Sequence, residues 1–124
     1  VDNWPYGIIF RDSSKGSCSF GMGAPGSYVV GELDEDGEAW ERLIDWTTSS
    51  VTNIKGKNTL RVVTSGSLFK FYINGVMVNS ITDATLTEGY IRLYVDNIQE
   101  VAFDNFVVKV IETNEQPLLK PLSE

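Results

Sequence analysis

Apolar residues recur along this chain in short alternating segments, which are separated by Gly, Asn, Asp and Ser. In residues 17–23, for example, Cys18, Phe20 and Met22 alternate with serine and glycine. A period of two is the pattern of a β-strand with one buried face; here the other face is almost bare, which leaves room for a neighbour or a ligand. No segment sustains the 3.6-residue period of a helix. The alternation predicts strands at residues 6–11, 17–23, 27–33, 39–46, 58–64, 67–74, 76–82, 89–95 and 101–110.

Turn residues between the segments predict how consecutive strands are joined. Asp36-Gly37 and Asn74-Gly75 favour the tight turns of β-hairpins, and Ser65-Gly66 marks a third turn. The last two turns predict a three-stranded antiparallel meander over residues 58–82. Near the end of the chain, Asp104-Asn105 inside an apolar segment predicts a β-bulge. The chain is therefore expected to be all-β.

Length and composition predict one domain. With 124 residues, 42% of them hydrophobic, the chain is long enough to bury one hydrophobic core and too short for two cores of sufficient size. We expect the domain to cover residues 1–111. Residues 112–124 contain two prolines and no alternation, which predicts a C-terminal tail or linker.

The balance of charges argues against two classes of partner. Seventeen acidic residues against ten basic ones give a formal net charge of -7 at pH 7. Nucleic acids and anionic membranes attract basic surfaces, so neither is expected as a partner. The sequence also lacks an apolar run near the roughly 20 residues of a membrane span.

The sequence has no histidine and one cysteine, Cys18. This composition excludes Ser-His-Asp triads, Cys-His pairs and histidine-ligated metal sites. Because Cys18 alternates with Phe20 and Met22 and has no histidine to deprotonate it, we predict an inert thiol in the core. No residue is assigned a catalytic role.

One series of segments occurs in an order that is known from other proteins. It consists of residues 7–11, 27–30, Trp40, 43–47, 58–62, 71–75, 89–91 and 103–106. This order resembles that of the concanavalin A-like lectins and glucanases, and within that superfamily it is similar to laminin G-like domains and to the 3-keto-disaccharide hydrolase-type domains of bacteria. The resemblance covers about residues 6–110 and includes no catalytic motif. It implies a two-sheet antiparallel jelly-roll sandwich.

The chain departs from that superfamily at its start. Such jelly rolls normally begin with two or three further strands before the one that resembles residues 7–11. Three explanations stay open: the chain is a trimmed piece, its sheet is reduced, or a second copy covers the exposed edge. Because an uncovered edge strand favours pairing with another chain, we expect self-association as a homodimer.

Acidic residues raise the question of glycoside hydrolysis. Glycosidases of the resembling superfamily carry two glutamates flanking an aspartate on one strand, as nucleophile and as acid or base. Residues 32–38 come close to this pattern, but Asp36 and Gly37 stand where the second glutamate is needed. An exposed acidic turn is therefore favoured over catalysis.

Calcium is the one cofactor left as a candidate, because it takes oxygen ligands from loops. The acidic residues of segment 32–38 could supply them, or else Asp83, Asp96 and Asp104. No segment has the full spacing of a calcium loop, so the metal-binding residues stay unassigned.

Aromatic and arginine side chains indicate a sugar-binding surface. Tyr90, Arg92 and Tyr94 alternate with the core positions of their strand and share its polar face. Sugars stack on flat aromatic rings, and arginine donates several hydrogen bonds. If the sheet pairs as in the resembling superfamily, one concave face carries the candidate ligand-binding residues Arg11, Tyr28, Tyr72, Tyr90, Arg92 and Tyr94. Scattered surface aromatics are an equally favoured interpretation.

For Trp40 and Trp46 we expect a position in the core and not on the sugar-binding face. Both share the parity of Ile44, so core packing is favoured over sugar stacking for them.

Three functions remain, in order of preference. The first is a non-catalytic carbohydrate-binding module of concanavalin A-like type, with a glycan or polysaccharide as ligand. The second is a structural or protein-interaction domain that self-associates through an open sheet edge. The third is a carboxylate-dependent glycoside hydrolase, so an enzyme is not favoured. The compartment stays unassigned. A secreted or extracytoplasmic location is favoured only because the resembling domains usually occur outside the cytoplasm.

Overall fold

A computed structural model of the chain describes residues 5–96 and 99–110, and within these residues it has eight β-strands and no helix. The strands agree with the eight alternating segments predicted between residues 6 and 95. The predicted tail at residues 112–124 lies outside the described residues, as does residue 111. In chain order the strands are β1 (Tyr6–Ser13), β2 (Gly16–Gly23), β3 (Ser27–Leu33), β4 (Trp40–Thr48), β5 (Leu60–Ser65), β6 (Leu68–Ile73), β7 (Val76–Thr82) and β8 (Tyr90–Val95).

The strands form two antiparallel sheets. Sheet A has five strands in the order β4-β3-β2-β1-β8, and sheet B has three in the order β5-β6-β7. Neighbours in a sheet are consecutive in sequence, except that β8 returns to pair with β1. The prediction of an all-β fold with two antiparallel sheets is confirmed, and the arrangement is that of a β-sandwich.

The core is built mainly from aromatic side chains of both sheets. Phe10 contacts Phe69 edge to face, with 5.3 Å between ring centroids, and the Phe20 and Phe71 centroids are 5.0 Å apart. Burying a side chain of this size stabilises the fold by about 1.5–3 kcal/mol. Cys18 belongs to the same buried cluster, and burial raises the pKa of its thiol to about 12. The thiol is therefore protonated at neutral pH, as predicted for an inert core cysteine.

The turn between β6 and β7 follows from its two residues. Asn74 and Gly75 have positive φ values of 52° and 84°, which suit the tight turn of an Asn-Gly hairpin. The Asn74 side chain also holds the segment before β5. Its Oδ1 accepts a hydrogen bond from Thr59 N and its Nδ2 donates one to Val51 O, both at 2.8 Å. The predicted hairpin is confirmed.

Strand β4 does not keep the alternation that predicted core tryptophans. Its register against β3 shifts between Arg42 and Ile44, so Leu43 is an extra residue. Such a bulge reverses the face of the residues on one side of it. Ile44 packs against the core, whereas Trp40 is 53% exposed and Trp46 is half-buried. The prediction of a core position for Trp40 is wrong.

Residues 101–110 differ from the predicted ninth strand. The structure describes this segment without any strand pairing. Asn105 has a left-handed φ of 55°, so the backbone bends where the bulge was predicted. A strand needs a neighbour that shares its backbone hydrogen bonds, and none of the described strands pairs with this segment. Its exposed apolar side chains are Phe103, Phe106, Val107, Val108 and Val110.

Candidate functional site

The structure brings together three of the six predicted binding residues. Tyr90, Arg92 and Tyr94 alternate along β8 with Leu93, which pairs with Ile8 and faces the core. The three therefore share the outer face of sheet A, the face that points away from sheet B. Tyr90 is 81% exposed there. The other predicted residues, Arg11, Tyr28 and Tyr72, lie elsewhere.

Tyr28 is a core residue. Its side chain is buried, and its hydroxyl donates a hydrogen bond to Val78 O at 3.3 Å and accepts one from Asn79 Nδ2 at 3.2 Å. Both partners lie on β7, so Tyr28 ties sheet A to sheet B. It does not reach the outer face.

Arg11 is turned inward by an irregularity in β1. The register of β1 shifts beyond Phe10, and Arg11 has a positive φ of 51°. Its guanidinium carbon lies 4.8 Å from the ring centroid of Phe69, and its Nη1 donates a hydrogen bond to Leu86 O at 2.8 Å. Arg11 therefore closes one end of the core.

Tyr72 lies on the other sheet. It alternates on β6 with the buried Phe71 and Ile73, so it faces away from the core on sheet B. The guanidinium carbon of Arg61, its partner on β5, lies 5.0 Å from its ring centroid. A ligand on sheet A does not contact this pair.

The middle of the outer face is a floor made largely of small residues, and the two larger side chains on it, Ile9 and Val29, are buried. Ser19 and Gly21 of β2 lie on it, between β1 and β3. A side chain at Gly21 would collide with the hydroxyl of Tyr94, and a Cβ at Gly31 would stand 3.1 Å from the ring of Trp40. The bare face predicted for β2 is thus covered by Tyr94, and the Trp40 ring covers the neighbouring glycine of β3.

Tyr94 is held firmly against this floor. Its side chain is half-buried, and its hydroxyl hydrogen-bonds with Ser19. Burial raises the pKa of Tyr94 to about 12, so the phenol is neutral at physiological pH. Trp40 and Tyr90 are the more exposed aromatic groups, on opposite edge strands of sheet A. Four strand spacings separate those strands, which is roughly 19 Å.

Two arginines near these edges are oriented by ion pairs. Arg92 Nε lies 2.9 Å from Asp12 Oδ2, and Arg42 Nη1 lies 2.9 Å from Asp45 Oδ1. Exposed pairs of this kind add little stability, but they restrict the orientation of the guanidinium groups. Each guanidinium has five N–H donors, so several stay available for a ligand.

Sequence reasoning missed Trp40 and Arg42 as members of this surface. Arg42 pairs with Gly31, and the Trp40 ring covers the same glycine. Trp40 and Arg42 lie on the outer face because the extra residue Leu43 changes the alternation of β4, and strict alternation cannot reveal such a residue. The one signal in the sequence was the face of β2 that carries only serine and glycine. Side chains this small leave space that larger side chains of neighbouring strands have to fill.

A second candidate site is an acidic cavity of about 350 Å³ at the end of β7. Two glutamates from paired positions of β3 and β4 line it together with an aspartate that follows β7. Sequence reasoning singled out Glu32 and Asp83 separately and did not place them together. The lining residues are Glu32, Glu41, Leu43, Ile81, Thr82, Asp83 and Thr85.

Glu32 and Asp83 share a proton. Burial first, and then the hydrogen bond and charge of Asp83, raise the pKa of Glu32 to about 7. Burial acts against ionisation of Asp83 too, but hydrogen bonds from Thr85 and Glu32 and the charge of Arg11 hold its pKa below the usual value. The proton of the pair therefore resides on Glu32 up to neutral pH.

This geometry does not suit a glycosidase. The carboxyl groups of a retaining enzyme lie about 5–5.5 Å apart, and those of an inverting enzyme lie farther apart. Carboxyl groups that hydrogen-bond to each other, as Glu32 and Asp83 do, leave no space for a glycosidic bond between them. The pair instead links sheet A to the segment after sheet B.

The acidic run that follows Glu32 is a turn. Asp34 Oδ1 accepts hydrogen bonds from the backbone N of Glu38 at 3.1 Å and of Ala39 at 3.3 Å. These bonds lower the pKa of Asp34. Gly37 has a φ of 72°, as a tight turn requires. The exposed acidic turn predicted here is confirmed.

Residues 5–96 and 99–110 contain neither a cluster of metal ligands nor a helix suited to a membrane. No group of three or more cysteine or acidic side chains in these ranges is arranged to hold a metal ion. The same ranges contain no helix that is long and apolar enough to cross a membrane. No family model, curated protein or solved structure matches the chain significantly.

Proposed function

We propose that this chain is a non-catalytic carbohydrate-binding module that holds a glycan or polysaccharide on the outer face of sheet A. We also propose that its sandwich is a jelly roll of concanavalin A-like type. One observation carries the functional proposal: a Gly and Ser floor is flanked by exposed aromatic rings, with Trp40 on one edge strand and Tyr90 on the other.

The shape of this face suits a chain of sugars better than a compact ligand. Its two exposed aromatic groups belong to strands roughly 19 Å apart. An extended oligosaccharide would cross the strands and stack one ring at each edge. Stacking removes the apolar face of a sugar from water, and an aromatic side chain loses little conformational freedom when it binds.

Polar groups near the rings would select hydroxyl groups. Arg92 and Arg42 keep donors free beside their ion pairs, and Asp12 and Asp45 add acceptors. Tyr94 is neutral and fixed by Ser19. Because these charges are paired, the proposal favours neutral sugars over strongly anionic ones.

The first test is binding of the purified chain to a broad glycan array, with and without calcium. A competable signal is expected, and titration calorimetry then gives the Kd for the best glycan. Trp40→Ala and Tyr90→Ala should each raise that Kd about tenfold, which corresponds to about 1.4 kcal/mol of lost stacking.

Tyr72→Ala is the matched control, because it removes a partly exposed tyrosine from sheet B. It should leave the Kd unchanged. A Kd that responds to Tyr72→Ala but to neither sheet A variant would place the binding surface elsewhere. No binding by a folded sample in either calcium condition would refute the proposal.

A further inference from the structure

The two sheets of the sandwich differ in width. Among the described residues sheet A has five strands and sheet B has three. The inner face of sheet A is therefore poorly covered at β1 and β8. Ile91 and Val95 are 41% and 39% exposed, although their alternation with Arg92 and Tyr94 directs them toward the interior. Ile8 and Leu93 are only half-buried. Two more strands beside sheet B would cover this flank.

The edge at which those strands would add is β5. Within the described part of the chain β5 pairs with β6 alone, so its other edge offers free backbone donors and acceptors. Leu60 and Val62 on β5 pack only partly against the core. Exposed edges of this kind favour the addition of another strand.

The apolar segment 101–110 lies near this edge and has a defined direction. Strand β8 ends where β1 begins, since Val95 pairs with Tyr6. Strand β5 begins at the same end of the sandwich, because Thr52 in the segment before it donates a hydrogen bond to Gly26 O, and Asn58 lines one cavity together with Tyr6 and Gly23. Lys57, just before β5, forms an ion pair with Asp104 at 3.7 Å.

A strand formed by residues 101–110 would therefore run parallel to β5. In an antiparallel sheet such a strand cannot be the direct neighbour of β5. One strand of opposite direction has to lie between them.

We propose that a second copy of the chain supplies this strand, in a two-fold symmetric exchange of residues 101–110. Residues 101–110 of each copy pair with β5 of the other copy on one side. On the other side they pair with residues 101–110 of the other copy. The joined sheet then has eight strands, in the order β7, β6 and β5 of the first copy, residues 101–110 of the second copy, residues 101–110 of the first copy, and β5, β6 and β7 of the second copy. Every neighbouring pair in this order is antiparallel. The two added strands are shared between the copies, so each flank of sheet A gains one strand beside β5.

The sequence of the segment favours pairing with itself. With the two-fold axis between Phe106 and Val107, Phe106 lies opposite Val107 of the other copy, and Phe103 lies opposite Val110. Asp104 then stands beside Lys109 of the other copy, twice per dimer. This pairing requires Asn105 to become extended, because a bulge at that position would turn Asp104 to the opposite face from Lys109. Opposite charges in such cross-strand positions stabilise a sheet, and like charges destabilise it.

The first experiment measures the oligomeric state of the chain in solution. Analytical ultracentrifugation of the full chain should show a concentration-dependent dimer. Hydrogen exchange should show that the amides of residues 60–65 and 101–110 become protected as the dimer forms. The outer face of sheet A is not involved, so glycan binding can fail without affecting this result, and the reverse.

Charge substitutions then test the arrangement of the two segments. K109D places an aspartate opposite Asp104 of the other copy, at two positions in the dimer. The repulsion should raise the dimer Kd about tenfold. The double variant D104K/K109D restores opposite charges and should return the Kd to within about threefold of the original. K55D is the control, because Lys55 is an exposed lysine outside both segments. Circular dichroism of each variant verifies that it is folded.

Three results would overturn the proposal. The first is a chain that stays monomeric at millimolar concentration. The second is a dimer in which residues 60–65 and 101–110 gain no protection. The third is a double variant that associates no better than K109D alone.

Discussion

Replacing Glu32 with glutamine is expected to remove a pH dependence from the stability of this fold. In the folded chain the pKa of Glu32 is about 7, against 4.5 for a free glutamate, because burial and Asp83 disfavour its charge. A raised pKa in the folded state means that the folded chain holds this proton more tightly than the unfolded chain. The protonated Glu32 therefore contributes fully to the free energy of unfolding below about pH 4.5, and this contribution is lost as the pH rises through about 7.

The size of the effect follows from the shift. At 1.36 kcal/mol per pKa unit, a rise from 4.5 to about 7 corresponds to about 3 kcal/mol for a carboxyl sealed from water. Glu32 lines an open cavity and is partly exposed, so solvent screens its interactions. We therefore expect the native chain to lose about 1–2 kcal/mol relative to Glu32→Gln between about pH 4.5 and pH 8. Asp83, whose pKa is lowered, stays ionised over this range.

Urea denaturation of both proteins at a series of pH values measures this difference. The glutamine amide keeps a hydrogen-bond donor for Asp83 and does not titrate, so the variant should be the more stable protein at about pH 8. Glu88→Gln is the control, because Glu88 is exposed and lies outside the cavity. Titrating groups common to all the proteins cancel in the comparison. Curves for the native chain and Glu32→Gln that stay parallel from pH 4.5 to 8 would refute the shared proton.

Two further predictions concern the core and the floor of sheet A. Phe71→Ala removes a buried ring that contacts Phe10 and Phe20, so urea denaturation should show a loss of about 3–5 kcal/mol; a loss below 1 kcal/mol would contradict the packing described. Gly31→Val should displace the Trp40 ring, which already stands 3.1 Å from a Cβ at that position. Its tryptophan emission should shift to longer wavelength, and an unchanged spectrum would mean that Trp40 does not lie over Gly31.

Much of the fold was accessible from the sequence because it depends on local pattern. Alternation of apolar residues predicts a strand wherever one face is buried, and eight of the nine predicted segments are strands. Asn74-Gly75 predicted its turn because few other residues adopt positive φ at both positions. Cys18 was assigned to the core for the same local reason, its parity with Phe20 and Met22.

The candidate site was accessible only in part. Tyr90, Arg92 and Tyr94 lie on one strand, so alternation sufficed to place them on one face. Tyr28 and Tyr72 could not be placed in this way, because strand parity does not tell which sheet a strand joins or which of its faces the other sheet covers. The irregularity in β1 turned Arg11 inward, and no pattern in its sequence marks that irregularity.

Residue types and their neighbours along the chain were enough to predict the β-strands, their turns and the exclusion of histidine chemistry. The pairing of strands, the position of Trp40 over Gly31 and the meeting of Glu32 with Asp83 depend on the folded arrangement instead. Those contacts join residues that are distant in the chain, and a single extra residue such as Leu43 changes the face of a strand. Residues 101–110 illustrate the same limit, because a strand-forming sequence becomes a strand only where another backbone completes its hydrogen bonds.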